Sequence, residues 1–86
     1  MGSYSLLFKR SVAKDLRSIP KKDVQQILKR IEALSNEPRP RSCEKLADGE
    51  RYRICQGAHR ILYEIHDEVL AIVVGKVAKR SEAYDS

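Results

Sequence analysis

With 86 residues the chain has room for one domain, and at that size folding buries only about 60 to 65% of the surface that the unfolded chain exposes, so the core is thin. Seventeen Lys and Arg against twelve Asp and Glu give a formal charge of +5, which favours a polyanionic partner such as RNA, DNA or an acidic protein. No apolar run approaches the roughly 20 residues of a membrane-spanning helix, the first residues lack signal-peptide architecture, and Cys43 and Cys55 have no metal-ligand spacing. These features predict a cytoplasmic protein without a membrane segment, a structural disulfide or a metal site.

Tyr4-Ser5-Leu6-Leu7-Phe8 reads as a short strand closed by Lys9 and Arg10. Ser11 is the expected N-cap of a short amphipathic helix, because its hydroxyl can take up a free amide of the first turn and Val12, Leu16 and Ile19 follow at helical spacing. Pro20 interrupts that helix and suits the first turn of a second one, which runs from about Pro20 to Leu34. Val24, Ile27, Leu28, Ile31 and Leu34 form its apolar stripe. Residues 35–42 hold two prolines and several turn formers and cannot continue a helix; their Arg39 and Arg41 either keep the loop soluble or reach a phosphate. Cys43-Glu44-Lys45-Leu46 reads as extended or a single turn with Leu46 anchored in the core, and Asp48-Gly49 as a turn.

The stretch from Glu50 to Tyr84 organises the rest. In Arg51-Tyr52-Arg53-Ile54-Cys55 the period of two sends Tyr52 and Ile54 to one face and Arg51, Arg53 and Cys55 to the other. Gln56-Gly57-Ala58 turns the chain into a second strand, in which His59, Ile61, Tyr63 and Ile65 oppose Arg60, Leu62 and Glu64. Pairing of the two strands would bring Arg53 and Arg60 onto one cationic face. His66-Asp67-Glu68 reads as a turn that gives His66 no partner, and Val69 to Val74 is apolar on both faces, as in a central strand. The expected fold is α+β: one domain over residues 1–86, in the order β-α-α-β-β-β, with a mostly antiparallel four-stranded sheet. A helical hairpin covers one sheet face and the other is left for ligands.

The ordered set Tyr52-Arg53-Ile54, Gly57, Arg60, Tyr63-Glu64-Ile65 and Arg80-Ser81-Glu82-Ala83-Tyr84 resembles the strand and C-terminal pattern of the RelE/ParE toxins of toxin–antitoxin modules, closest to the RelE side. The resemblance extends over nearly the whole chain. It implies a RelE/ParE-like, microbial RNase-like fold with the first strand beside the last. It further implies a ribosome-dependent endoribonuclease that cuts mRNA in the decoding site, with neither metal nor cofactor, by attack of the 2′-hydroxyl to leave a 2′,3′-cyclic phosphate. Such chemistry needs a base, positive charge for the phosphoryl oxygens, and a proton or charge for the departing 5′-oxygen.

By the same resemblance Arg60 and Arg53 face the phosphate, Tyr84 acts as base or stacks on a nucleobase, and Arg80 is the basic position four residues earlier. Lys45, Arg51, Lys76 and Lys79 complete the RNA-binding set, the two last being candidates for the acid. A tyrosine base at neutral pH needs its pKa lowered from about 10 by two or three units, which converging cations would supply. Cys55 departs from the pattern, standing where many family members carry a second Lys or Arg. The segment before Tyr84 also carries an extra residue relative to close RelE relatives. The implied partners are a RelB-like antitoxin, mRNA and rRNA on the ribosome, and operator DNA only through the antitoxin. A ParE-like gyrase inhibitor without nuclease chemistry and a non-catalytic basic binding module are the alternatives.

Overall fold

The structure, a computed structural model, describes residues 3–47 and 49–79. Its first strand, β1 (Ser5–Phe8), lies parallel to the last, β5 (Ala71–Lys79), which pairs antiparallel with β4 (His59–His66). β4 pairs with β3 (Arg51–Gln56), and β3 with a two-residue strand β2 (Glu44–Lys45), giving the order β1-β5-β4-β3-β2. The sheet therefore has five strands where four were expected, because the segment read as extended or a single turn adds β2 at the edge. β1 stands beside β5, as the resemblance implied.

The first helix differs from expectation at its start and the second does not. The first, α1 (Arg10–Arg17), begins directly off β1: Lys9 is its N-cap, with extended backbone (φ −69°, ψ 152°) and no side-chain cap, so Ser11 falls inside the first turn. The cause is the sheet, since the Lys9 N–H donates to the Val74 carbonyl (2.9 Å) and holds Lys9 in strand geometry until the chain turns. The second helix, α2 (Lys21–Leu34), starts as expected at Pro20, whose carbonyl accepts from Asp23 and Val24. Ile27, Ile31 and Leu34 are buried and Val24 is half-buried, but Leu28 is 41% exposed. It lies over a shallow apolar groove shared with Leu6 and Phe8, at the margin of the sheet rather than over it.

One face of the sheet carries the core. Val12, Ile27, Ile31 and Leu34 from the helices interlock with Tyr52, Ile54, Ile61, Tyr63, Ile65, Ile72, Val74 and Val77. These strand residues alternate as a half-covered sheet requires, each burying most of its apolar surface at about 25 cal/mol per Å². β3 and β4 join through the two residues Gly57 and Ala58; Gly57 has φ +60°, the positive φ at the first position that a tight hairpin needs and that favours glycine.

Past β1, the outer edge of β5 is covered by α1, where the Asp15 carboxylate accepts the Val77 N–H (3.1 Å). Replacing Asp15 by alanine leaves that amide without its acceptor and is expected to cost about 1 to 2 kcal/mol in urea denaturation. Asn at this position keeps an acceptor and should recover most of the loss.

The loop between α2 and β2 is tied to the sheet by Arg39, which neither floats as a solubilising charge nor faces the open side. Its guanidinium lies 5.3 Å from the Tyr52 ring centre and donates to the Tyr52 hydroxyl (2.9 Å), Glu50 (3.2 Å) and Asp67 (2.8 Å). Tyr52 in turn stacks on Tyr63, whose hydroxyl donates to the Pro38 carbonyl (2.8 Å). The Tyr52 hydroxyl and then Arg39 hold the Glu50 carboxyl below its ordinary value of 4.5, and Arg39 followed by the Tyr4 hydroxyl does the same for Asp67, ordinarily 3.8.

A carboxyl depressed in the folded state stabilises the fold above its unfolded pKa, and that contribution is lost as pH falls through the folded pKa. The urea midpoint should therefore decline from about pH 5 downward. In Arg39→Ala the decline should be shallower without vanishing, because Glu44 and Glu64 are depressed as well.

Candidate nucleic-acid interface

The sheet face away from the core is where the charges gather. β3 contributes Arg51, Arg53 and Cys55, β4 contributes Arg60, Leu62, Glu64 and His66, and β5 contributes Lys76 and Ala78. Arg53 and Arg60 do share this face, but they are not direct partners: Arg53 stands opposite Leu62, and Arg60 opposite Cys55. They are diagonal neighbours, with backbones about 7 to 8 Å apart, a separation that long side chains span. On the other side Arg60 faces Ala78 and Leu62 faces Lys76, while a bulge leaves Gly75 unpaired between Lys76 and Val74. The bulge re-aims β5 so that Lys76 reaches the open face.

Arg53 is held by Glu44 of β2, its direct partner in register, through an Nε to Oε1 hydrogen bond of 2.6 Å. The Arg53 hydrogen bond and charge, with Arg60 adding from further off, keep the Glu44 carboxyl below the ordinary carboxylate range. Arg60 is less well provided for. Its Nε and Nη1 are buried and have no hydrogen-bond partner among the described residues. Buried guanidinium donors without acceptors are costly, and their usual explanation is a missing anion or water.

Beside the arginine pair lies a recess of about 200 Å³ lined by Lys9, Leu46, Arg51, Leu62, Glu64 and Lys76. Glu64 bridges it, 3.1 Å from His66 Nε2 and 3.6 Å from Lys9 Nζ, and the His66 contact followed by Lys9 holds its carboxyl low. The Lys9 side chain crosses Gly75, where an added Cβ would meet its Cδ at 3.6 Å. The lining of the recess combines the apolar Leu46 and Leu62 with the cations Lys9, Arg51 and Lys76 and the carboxylate of Glu64.

The remaining expectations divide by face. Arg51 and Lys76 lie on the open side with Arg53 and Arg60. Lys45 stands opposite Tyr52 and Lys79 opposite His59, so both belong to the helix-covered side at its margins; Lys45 is 3.8 Å from Glu50. Leu46 lines the open recess instead of entering the core. His59 is buried on the core side, as its alternation predicts. His66 closes β4 rather than lying in a turn, and it has a partner in Glu64. Arg80 and Tyr84 lie outside the described residues. Glu44 and Lys9 were missed by sequence reasoning: Glu44 sits in a strand too short to show periodicity, and the position of Lys9 over β5 exists only through the parallel β1–β5 pairing.

The chain is thus a small basic α+β domain with a helical hairpin on one sheet face and arginines on the other. The family model described as the ParE toxin of type II toxin–antitoxin systems, parDE, matches residues 6–84. One chain of the archaeal RelE–RelB complex from Pyrococcus horikoshii superposes with a TM-score of 0.83 at 28% identity, covering 94% of this chain and 99% of that one. The isolated RelE toxin of E. coli gives 0.78 at 28% identity, with 95% and 92% covered. A chain of the toxin–antitoxin complex RelBE2 from Mycobacterium tuberculosis gives 0.80 at 26%, with 91% and 99% covered. No curated protein matches the chain in sequence. The chain belongs to the RelE/ParE superfamily of type II toxins.

Proposed function

We propose that this toxin is a ribosome-dependent endoribonuclease that cleaves mRNA in the decoding site without a metal ion. The observation that carries the reading is Arg60, whose buried Nε and Nη1 lack hydrogen-bond acceptors among the described residues, on a sheet face that also bears Arg53, Arg51 and Lys76. A phosphodiester supplies the missing acceptors.

In the reaction the 2′-oxygen attacks phosphorus and its proton passes to a base. The bond from phosphorus to the 5′-oxygen breaks and that oxygen takes up a proton, leaving a 2′,3′-cyclic phosphate and a 5′-hydroxyl. Arg60 and Arg53 donate to the non-bridging oxygens, where charge builds in the transition state. Arginine stays protonated, so these two stabilise charge and do not deliver the proton. Lys76, exposed on the same face, is the better acid. By the resemblance Tyr84 takes the base or stacking role and Arg80 adds positive charge.

The chain's partner is a RelB-like antitoxin, a reading supported by the solved RelE–RelB complexes that it resembles. The second reading, a ParE-like inhibitor of DNA gyrase, is favoured by Cys55, which places a thiol where a further cation would stand directly opposite Arg60.

Primer extension on a message translated in a purified system decides between them. Cuts confined to ribosome-bound message, fading in Arg60→Ala and Tyr84→Phe, are the expected result. Intact message and unimpaired translation, together with inhibited supercoiling by gyrase, would replace the nuclease reading with the second one.

A further inference from the structure

We propose that Arg53 and Arg60 form a single anion site whose resident ligand in the free toxin is the Glu44 carboxylate, displaced when a nucleic-acid phosphate binds. The inference rests on reading the arginine face as a phosphate site and adds to it a residue that decides when the site is open.

Three observations carry it. Glu44 Oε1 accepts from Arg53 Nε at 2.6 Å, so the donor that would serve a phosphate oxygen is already in use. Arg60 acts on the same carboxylate through its charge, yet its Nε and Nη1 have no acceptor among the described residues, so there one carboxylate serves two guanidinium groups and satisfies only one. A phosphodiester carries one negative charge on two non-bridging oxygens and can receive donors from both arginines at once.

Glu44 is also built to leave. It belongs to a two-residue strand that pairs with β3 at the edge of the sheet, its side chain is 64% exposed, and an exposed ion pair of this kind is weakly held. A phosphate that engages Arg53 alone merely exchanges one anion for another, whereas one seated between both arginines gains the donors that Glu44 leaves unused. Glu44 therefore suppresses loose binding of free polyanions and favours a phosphate presented in a fixed geometry, as on a ribosome.

The test is fluorescence anisotropy with a labelled hexamer of 2′-deoxynucleotides, which lacks the 2′-hydroxyl and cannot be cut, over a series of KCl concentrations. Wild type, Glu44→Gln, Arg60→Ala and the charge-matched control Glu68→Gln are compared, with urea midpoints confirming that each is folded. Glu68 is exposed in the turn before β5, so its variant reports the effect of lost negative charge alone.

Glu44→Gln is expected to bind about two- to fivefold more tightly than wild type, because Arg53 no longer has to release a carboxylate before it takes the phosphate, and the slope of log K against log salt should stay the same, since one phosphate fills the site in both. Glu68→Gln should not show the gain in affinity, and Arg60→Ala should bind more weakly. Equal affinities for Glu44→Gln and Glu68→Gln, with Arg60→Ala still weakened, would overturn the proposal and leave the phosphate site standing. Wild-type affinity in Arg60→Ala would remove the phosphate site and the proposal with it. Unchanged binding in Glu44→Gln together with lost cleavage on ribosomes would make Glu44 a proton carrier, which also overturns the proposal.

Discussion

Under the proposed nuclease function, replacing Arg60 by alanine should slow the cleavage of ribosome-bound message by about a hundredfold or more, the usual loss when a fixed donor to a developing oxyanion is removed. Arg60 sits in the middle of the sheet, on a strand paired on both sides, so its guanidinium is presented by a rigid element. Lysine keeps the charge but lacks the planar fork and should restore only a small part of the rate.

The stability of the variant is as informative as its rate. Two buried donors without acceptors among the described residues are a burden to the fold, so Arg60→Ala should leave the urea midpoint at or above that of wild type. Loss of cleavage without loss of stability is the behaviour of a group held in place for its ligand. A lowered midpoint with cleavage intact would instead assign Arg60 a structural role.

The adjacent residue should behave in the opposite way. Ile61→Ala is expected to cost about 2 to 5 kcal/mol, because its side chain is fully buried between Ile54 of β3 and Val77 of β5 and its removal leaves a cavity that two flanking strands cannot close. A domain of this size has a total stability of roughly 4 to 13 kcal/mol, so the variant approaches the limit of folding at 37 °C. Leu62→Ala, one residue further along and half-buried on the open face, should cost much less. Urea denaturation of the two variants side by side measures the division of β4 into a core face and a ligand face. Equal losses would contradict it.

That division was legible in the sequence because a strand has a period of two and most residues of β3 and β4 follow it, with Tyr52, Ile54, His59, Ile61, Tyr63 and Ile65 inward and Arg51, Arg53, Arg60 and Glu64 outward; Leu62 on the open face and Gln56 opposite His59 are the exceptions in polarity. The helical hairpin was legible for the same kind of reason, the spacing of Ile27, Ile31 and Leu34 and the break at Pro20. Local chemistry misled where a longer-range bond outweighed it. Ser11 is a good N-cap residue, but the Lys9 amide is committed to Val74 and moves the helix start.

The sequence by itself thus determined the fold class, most of the core and the two faces of β3 and β4, since these follow from periodicities that each segment carries alone, while Leu28 and Leu46 fell outside the core they were expected to join. Only the tertiary structure decided how those residues are grouped. Strand register put Arg53 and Arg60 on a diagonal, the bulge at Gly75 turned Lys76 to the open face, and Lys45 and Lys79 fell on the other side. The edge strand laid Glu44 across Arg53, and the parallel pairing of β1 with β5 brought Lys9 over Gly75. Register and strand order depend on contacts between segments far apart in the chain, and a shift of a single residue reverses the face of every side chain, so no segment read alone contains them.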